Sequence, residues 1–300
     1  MLDSSTIVRA EQNSPLVISK VDEDRKVLKA RFDQYGYLYF QRAIAVAKCA
    51  NLLHSFLDQL DPHIVYSEAT GQPVLHGEPF FETDPVWDVV YPKMQSLYEF
   101  HNFFHDDDAL ELMRVVCAED IFVYPMKMGR IASPRKIGYE TPPHQDAHSH
   151  QAGPSMAGFW VALHDVKQGM GRLKMLPGSH KKGVRDVFEA TGVGGVQCEI
   201  FDAETTWHVS DVAQGDVIIF HSCCVHKAEP NTTEDSVRIS IDTRFCDYGE
   251  SVFATNFEPH HGWRIDGFDW ESIYASWTDQ GLKYYWRDYK TDREAPHNER

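Results

Sequence analysis

The chain has 300 residues, of which 42% are hydrophobic and 25% are charged. This length and composition are typical of a folded globular protein and exclude an intrinsically disordered one. Asp and Glu together number 45 against 29 for Lys and Arg, so the formal net charge is -16. Because an acidic surface repels nucleic-acid phosphates, we expect no nucleic-acid partner.

The sequence carries no recognisable membrane or export signal. No run approaches the roughly 18 consecutive apolar residues that a membrane helix needs, and residues 1–14 lack the apolar stretch of a secretory signal. The six cysteines form no CxxC pair, which argues against a zinc ribbon, and we expect them to be reduced. We therefore expect a cytoplasmic protein with no membrane partner.

The first third of the chain is predicted to be mostly helical. Residues 1–20 show no periodicity and are predicted to form a loose arm. A short aromatic strand is expected over residues 35–41, and an acidic run at residues 105–108 is expected to precede a helix over 110–116. Apolar residues at helical spacing predict helices over residues 21–32, 43–60 and most of 84–116.

From residue 121 the pattern changes to short β-type runs separated by turn residues. Many short strands with this punctuation predict a sandwich or barrel, and the lack of alternating helices excludes a doubly wound fold. We predict one domain with helical support over residues 21–118, a β core over 119–246 and an aromatic tail over 247–300. The runs are IFVYPMKM, GYETPPHQDA, AGFWVALHDV, RLKMLPGSH, TTWHVSD, DVIIFHSCCVH and VRISIDTRF.

The sharpest local feature is the tripeptide His144-Gln145-Asp146. Side chains at i and i+2 of a strand point to one face, so His144 and Asp146 are predicted to grip one metal ion. His226, near the end of a later strand, is the third candidate, and His221 in the same run is the alternative. Two histidines and one carboxylate with open coordination positions form the facial triad of non-haem Fe(II) oxygenases.

Arg238 lies 12 residues after His226 and opens the next predicted strand. A ferrous ion on this triad keeps a positive charge, which favours an anionic co-substrate whose second carboxylate needs an anchor. An arginine fork matches a carboxylate through two parallel hydrogen bonds, so Arg238 is the predicted anchor. Arg244 shares the strand face, but Asp242 between them is expected to pair with Arg244 and give it a structural role.

Four motifs occur in the order seen in the phytanoyl-CoA dioxygenase family of Fe(II)/2-oxoglutarate-dependent oxygenases, which the chain resembles over roughly residues 120–246. The resemblance implies a mainly β fold with flanking helices, namely a double-stranded β-helix (a cupin-like jelly roll) with an N-terminal helical layer. The motifs are PPHQD at 142–146, GRLKMLPGSH at 171–180, Gly215-Asp216 leading to His226 and Pro230-Asn231, and RISIDTRF at 238–245.

The resemblance also assigns roles to individual residues. It implies iron on His144, Asp146 and His226, and 2-oxoglutarate held by Arg238. It further suggests that Trp160, on the strand after the metal motif, lines the co-substrate pocket. Met126, on the strand before it, is suggested for the same wall.

We therefore expect an oxidoreductase that uses Fe(II), 2-oxoglutarate and O2. The expected reaction is oxidation, most simply hydroxylation, of an unactivated C–H bond in a small, partly apolar metabolite of secondary metabolism, with release of succinate and CO2. A zinc-type metal hydrolase is one alternative, although it has no need of a carboxylate anchor. A non-catalytic binding module on the same barrel is another.

The C-terminal tail is rich in aromatic residues. Trp270, Ile273, Tyr274 and Trp277 have helical spacing, which predicts a helix docked on the barrel. An aromatic lid over the site, or a homodimer contact through the tail, is the alternative interpretation.

Overall fold

A computed structural model describes residues 11–292, apart from residues 119, 136, 152 and 290. The helices are α1 (Arg25–Tyr35), α2 (Val46–Leu60), α3 (Pro85–Gln95), α4 (Tyr98–Asn102), α5 (Asp107–Met113), α6 (Asp146–Ser149) and α7 (Trp270–Tyr274). Short 3-10 helices cover Ser179–Lys182 and Ala254–Phe257.

The strands complete the element order. They are β1 (Gln12–Ser14), β2 (Ile18–Ser19), β3 (Tyr37–Phe40), β4 (Ile64–Ser67), β5 (Gln72–Leu75), β6 (Ile121–Ala132), β7 (Ala157–Ala162), β8 (Leu173–Met175), β9 (Val187–Glu189), β10 (Val196–Cys198), β11 (Thr206–His208), β12 (Val217–His221), β13 (His226–Ala228), β14 (Arg238–Asp247), β15 (Val252–Phe253) and β16 (Thr291–Asp292). The prediction of a mainly β protein with flanking helices is confirmed.

Local signals decide where the helices begin and end. α1 begins after Asp24, whose carboxylate accepts a hydrogen bond from the backbone N–H of Lys26 at 2.7 Å. It ends at Gly36, which adopts a left-handed φ of 78° and has no room for a side chain, because a Cβ would lie 2.4 Å from the His180 ring. Because Asp24 caps the helix, α1 begins at Arg25 and not at residue 21, where the sequence predicted its start.

The helices after α1 also differ slightly from their predicted bounds. α2 begins at Val46, and the N–H of Ile44 before it donates to Gly215 O at 3.1 Å, beside the start of β12. α5 begins within the acidic run, at Asp107 rather than at residue 110. Two carboxylates of that run, Asp106 and Asp108, form ion pairs with Lys48 of α2 at 2.9 and 2.7 Å, so the run joins two helices.

Two sheets form the β core. The large sheet has the order β2-β3-β12-β7-β14-β6, in which only the β2–β3 pair is parallel. The small sheet has the order β1-β11-β8-β13, in which only the β1–β11 pair is parallel. An isolated antiparallel bridge between His144 and His226 extends the small sheet beyond β13.

Successive side chains along the strands of the large sheet point to opposite faces and pack into two separate hydrophobic cores. On β7, Phe159 and Val161 pack with the helices, whereas Trp160 and Ala162 pack with residues of the small sheet. Burial on both faces explains why these strands read as nearly continuous apolar runs. β14 departs from this rule, since its outer face is apolar but its inner face carries polar and charged side chains. Those inner residues are Arg238, Ser240, Asp242 and Arg244, and all four are buried.

Two predictions about local structure are wrong. Residues 12–14 and 18–19, within the expected loose arm, pair with β11 and β3 respectively; residues 1–10 lie outside the described residues. The run GYETPPHQDA is not a strand, because Pro142 and Pro143 have no N–H to donate to a ladder and a helix begins at Asp146.

The tail packs against the helical layer. α7 is capped by Asp269, which exchanges hydrogen bonds with Ser272, and it ends at Tyr274. Trp277 stacks edge-on against Tyr98 with ring centroids 5.1 Å apart, and its indole N–H donates to Ser96 O at 2.8 Å. These contacts agree with the docked helix, and the aromatic lid stays a prediction. The homodimer contact stays a prediction.

Two further expectations concern cysteines and membrane segments. All six cysteine thiols are free. Among the residues that the structure describes, no helix has the length and apolar character needed to cross a membrane.

The buried carboxylate of Asp216 generates a test of the fold. It accepts hydrogen bonds from Tyr39 Oη at 2.5 Å and from the N–H groups of Arg42 and Ala213, both at 2.8 Å. Asp216→Ala leaves these donors unsatisfied, so we expect the free energy of unfolding to fall by about 3 kcal/mol. Urea unfolding measures this free energy. Asp211→Ala, at a half-exposed ion pair, is the control and is expected to cost less than about 1 kcal/mol; equal losses would contradict this account.

Candidate active site

The structure brings the three predicted metal ligands together. One ligand atom from each of His144, Asp146 and His226 lies within 4.8 Å of the other two. The Nε2 atoms of both histidines are 3.9 Å from Asp146 Oδ1. The backbones of His144 and His226 exchange N–H···O=C hydrogen bonds of 3.0 Å, which fixes the two imidazoles side by side.

Backbone carbonyls orient both imidazoles for metal binding. His144 Nδ1 lies 2.8 Å from Pro142 O, and His226 Nδ1 lies 3.0 Å from Cys224 O. A carbonyl only accepts, so each Nδ1 carries the proton and each Nε2 lone pair faces the cluster. Burial, followed by the charge of His226, lowers the pKa of His144 to about 3; burial also lowers the pKa of His226. Both rings are therefore neutral ligands near pH 7.

Asp146 reaches the cluster from a helix start and not from a strand. Gln145 is extended, and its side-chain amide donates to Gly183 O at 2.9 Å and to Cys223 O at 2.7 Å while its oxygen accepts from Arg185 N at 2.8 Å. These three bonds hold the turn that joins His144 to α6. The prediction that His144 and Asp146 lie at i and i+2 of a strand is therefore wrong. A turn held by hydrogen bonds brings the two side chains together instead.

The carboxylate of Asp146 is held by Arg244, a contact that the sequence did not indicate. Arg244 Nε is 2.6 Å from Asp146 Oδ2, and Arg244 Nη2 donates to Oδ1 at 3.0 Å. Arg244 Nη1 also donates to Asp242 at 2.6 Å, as expected, and Arg130 Nε donates to the other Asp242 oxygen at 2.9 Å. Burial raises the pKa of Asp146, but the charge of Arg244, with smaller contributions from the neighbouring histidines, more than compensates, and the pKa lies below its usual range.

Arg238 is a buried cation without an ionic partner. Its Nη1 donates to Gly171 O at 2.6 Å, its Nε has no hydrogen-bond partner, and no carboxylate of the described residues lies within 4.0 Å. Burial, followed by the charge of Arg130, lowers the pKa of Arg238 to about 10. A buried guanidinium of this kind is a site for an incoming anion, because an unpaired buried charge is costly.

Two adjoining cavities surround these residues. The triad cavity is lined by both triad histidines together with Trp160, Arg238 and Arg244. The outer cavity is lined by Phe81, Glu82, Tyr139, Glu140 and their neighbours. Both cavities share the residues Arg130, Thr141, Ala228 and Arg238, so they lie side by side, and together they are called the cleft.

Of the two residues predicted to line the co-substrate pocket, one lines the triad cavity and the other does not. Trp160 lines the triad cavity, and its indole N–H donates to Ser240 Oγ at 3.1 Å. Met126 is buried but is not among the described residues that line either cavity near the triad. His221 packs against Phe32 and His180 and lies outside the ligand cluster, as preferred from the sequence.

A second polar group flanks the cleft and was missed from the sequence. Glu82, in the loop before α3, lies 3.6 Å from Arg130 Nη1 and 3.6 Å from His261 Nε2. Burial raises the pKa of Glu82, with the charge of Arg130 acting in the opposite direction. Arg130 has a sequence signal, since it is four residues after Met126 on a predicted strand and so shares its face. Glu82 and His261 lie in loops, where periodicity gives no signal.

The donor set suits a ferrous ion and a dicarboxylate co-substrate. Two imidazole nitrogens and one carboxylate oxygen on one side of a cavity match the facial triad of non-haem iron enzymes. The orphaned Nε of Arg238 in the same cavity matches a carboxylate partner.

Comparison with known proteins gives relatives by sequence. The family model described as phytanoyl-CoA dioxygenase (PhyH) matches residues 32–240. The 1-deoxypentalenic acid 11-beta-hydroxylase of Streptomyces exfoliatus is 26% identical over 235 residues, which are 74% of this chain and 81% of that protein. Phytanoyl-CoA dioxygenase domain-containing protein 1 of Mus musculus is 26% identical over 170 residues, 53% of each chain.

Solved structures share the fold at lower identity. The epimerase SnoN, solved in complex with Fe3+, alpha ketoglutarate and nogalamycin RO, has a TM-score of 0.56 at 18% identity, covering 76% of this chain and 85% of that chain. EvdO2 of Micromonospora carbonacea var. aurantiaca, complexed with 2-oxoglutarate, has a TM-score of 0.53 at 17% identity, covering 76% and 92%. The family match spans more than half of the chain, and the predicted resemblance is confirmed. The chain belongs to the phytanoyl-CoA dioxygenase family of Fe(II)/2-oxoglutarate-dependent oxygenases.

Proposed function

We propose that the chain hydroxylates an unactivated C–H bond of a small, partly apolar metabolite, with His144, Asp146 and His226 as the iron ligands and Arg238 as the anchor of 2-oxoglutarate. The observation that carries this proposal is the buried, unpaired Arg238 in the same cavity as two neutral imidazoles and one charged carboxylate. A metal hydrolase needs no such cation, because water is its only co-reactant.

The architecture supports a finer description of the fold. We infer that the two sheets close into a double-stranded β-helix with the helices as an outer layer. The support is the shared core between β3, β7 and β12 of the large sheet and Met175 of the small sheet, together with the bridge at His144 and His226.

Each residue of the site has a defined task in this proposal. His144 and His226 present lone pairs whose direction is set by backbone carbonyls. Arg244 keeps Asp146 ionised and aimed at them, and Asp242 and Arg130 hold Arg244 in turn. Trp160 and Arg238 shape and charge the co-substrate side of the cavity. When bound, iron and 2-oxoglutarate supply the oxidising chemistry, with succinate and CO2 as co-products.

The substrate class rests on the walls of the cleft. Phe81 and Tyr139 form an aromatic pair with ring centroids 4.5 Å apart in the outer cavity, which suits an apolar ring. The relative from Streptomyces exfoliatus is named as a hydroxylase of 1-deoxypentalenic acid, which supports a small-molecule substrate for this chain. A cytoplasmic location, and the absence of nucleic-acid and membrane partners, are part of the proposal.

The metal assignment predicts a spectroscopic signature. Anaerobic addition of Fe(II) and 2-oxoglutarate to the protein is expected to give a weak visible charge-transfer band, because both ligands share one ion. Asp146→Ala and His144→Ala are expected to abolish the band, whereas His221→Gln, at a neighbouring histidine outside the cluster, preserves it. A band that is absent in the wild type, or that survives in Asp146→Ala, would contradict the assignment.

The anchor assignment predicts a binding defect. Arg238→Met is expected to raise the Kd of 2-oxoglutarate about 100-fold, because it removes a buried charge-assisted hydrogen-bond pair. Titration of the anaerobic Fe(II) protein with 2-oxoglutarate measures the Kd. Arg238→Lys keeps the positive charge but lacks the two parallel N–H donors of a guanidinium. Its Kd for 2-oxoglutarate is expected to lie between those of the wild type and Arg238→Met. Arg114→Met, at a partly exposed ion pair at the C-cap of α5, is the control. An unchanged Kd in Arg238→Met would favour the hydrolase instead.

The positioning role of Arg244 predicts strong coupling in a double-mutant cycle. Arg244→Met leaves the buried Asp146 carboxylate without its ionic partner, so we expect the metal-free protein to lose about 3–5 kcal/mol of unfolding free energy. Adding Asp146→Asn to this variant is expected to recover a large part of the loss, since the unpaired charge is then gone. Urea unfolding of the four proteins measures the coupling. Strictly additive losses would show that the two side chains do not act as a pair.

A further inference from the structure

The contact between Glu82, Arg130 and His261 is not explained by iron or 2-oxoglutarate. The two oxygens of Glu82 lie 3.6 Å from Arg130 Nη1 and 3.6 Å from His261 Nε2. Both distances exceed those of direct hydrogen bonds. The spacing instead leaves each pair of atoms within reach of one bridging oxygen.

His261 adds an independent sign of a missing partner. It is 6% exposed, and neither of its ring nitrogens has a hydrogen-bond partner within the described part of the chain. Its backbone adopts a φ of 69°, which is uncommon outside glycine and tends to occur at functional sites. The rings of Trp87 and Tyr91 on α3 pack edge-on against it and keep the imidazole toward Glu82.

The position of Glu82 gives this group access to the cleft. Glu82 and Arg130 line the outer cavity, and Arg130 also lines the triad cavity. The aromatic pair of Phe81 and Tyr139 forms an apolar wall beside Glu82. A molecule seated against that wall therefore meets the Glu82 carboxyl on its way to the triad.

We infer that Glu82 and Arg130 bind a hydroxyl group of the substrate, with His261 positioning Glu82, so that the substrate of this oxygenase is a partly apolar alcohol. The inference rests on the proposed function and adds the recognition group to it. It makes Glu82 a specificity-determining residue and His261 its positioning residue.

The chemistry of the three side chains selects a hydroxyl over charged groups. A hydroxyl donates one hydrogen bond and accepts two, so it satisfies an acceptor carboxylate and a guanidinium donor together. It also fits Glu82 in either protonation state. An ammonium group has no acceptor and would lie against Arg130, whereas a substrate carboxylate would lie against Glu82 and, further along the cavity, Glu140. Arg130 offers little compensation, because Asp242 already accepts its Nε–H.

The test compares three ligands that share one ring. Cyclohexylmethanol, cyclohexanecarboxylate and cyclohexylmethylamine are titrated into the anaerobic protein loaded with Fe(II) and 2-oxoglutarate, and calorimetry gives each Kd. We expect the alcohol to bind at least about tenfold tighter than the other two. Glu82→Gln is expected to weaken alcohol binding about tenfold, and Glu99→Gln, at an exposed glutamate of α4 away from both cavities, to change it less than about twofold.

The outcomes separate this inference from the proposed function. Equal or tighter binding of the carboxylate or the amine, an unchanged alcohol Kd in Glu82→Gln, or no binding of any of the three ligands would overturn the hydroxyl site. Each of these results leaves the oxygenase assignment intact if the Fe(II)–2-oxoglutarate band still forms. Loss of that band in the wild type overturns the proposed function itself.

Discussion

The site depends on one carboxylate staying charged in a place where water cannot reach it. Asp146 is 1% exposed, and burial alone would favour its neutral form. The guanidinium of Arg244, which makes two contacts with the carboxylate, contributes most to reversing that preference, with smaller contributions from the neighbouring histidines. Arg244 is in turn shared with Asp242, and Asp242 with Arg130, so charges of alternating sign continue from the triad toward the outer cavity. A charged ligand oxygen is thus available before any ion arrives.

A single strand carries most of this arrangement. The outer side chains of β14, such as Ile239 and Ile241, anchor the sheet to the helical layer. Its inner side chains place Arg238 where the two cavities adjoin and Arg244 in the triad cavity, with Asp242 between them along the strand. The two arginines therefore have different tasks for an electrostatic reason. Arg244 is neutralised by two carboxylates, whereas Arg238 retains an unmet charge for a ligand.

Much of the fold and the triad could be predicted from the chain alone, and the failures have physical causes. Central strands of the large sheet such as β7 and β12 were predictable because both of their faces are buried and their residues are almost entirely apolar. His144 and Asp146 were paired correctly but through the wrong geometry, since two prolines exclude a ladder that a period-of-two argument assumes. The link from Arg244 to Asp146 spans 98 residues, and no local pattern reports a contact at that separation.

The same reasoning explains why the second polar group was invisible in the sequence. Glu82 lies in the loop before α3, and His261 lies in a turn of the C-terminal tail. They meet where Trp87 and Tyr91 of α3 pack against His261. Met126 was placed in the cavity wall on the strength of the family pattern, but the side chains that line the cleft from β6 are those of Arg130 and its successors. Substrate-facing residues of this kind follow from tertiary packing, which periodicity does not encode.

The central claim is that two imidazoles, one carboxylate and one distant guanidinium serve a single metal ion and its co-substrate. Anomalous diffraction from crystals grown anaerobically with Fe(II) and 2-oxoglutarate tests this most directly. The account predicts one iron peak about 2.2 Å from Nε2 of His144, an oxygen of Asp146 and Nε2 of His226, with the distal carboxylate of 2-oxoglutarate on Arg238. An iron peak elsewhere, or 2-oxoglutarate bound away from Arg238, would contradict it.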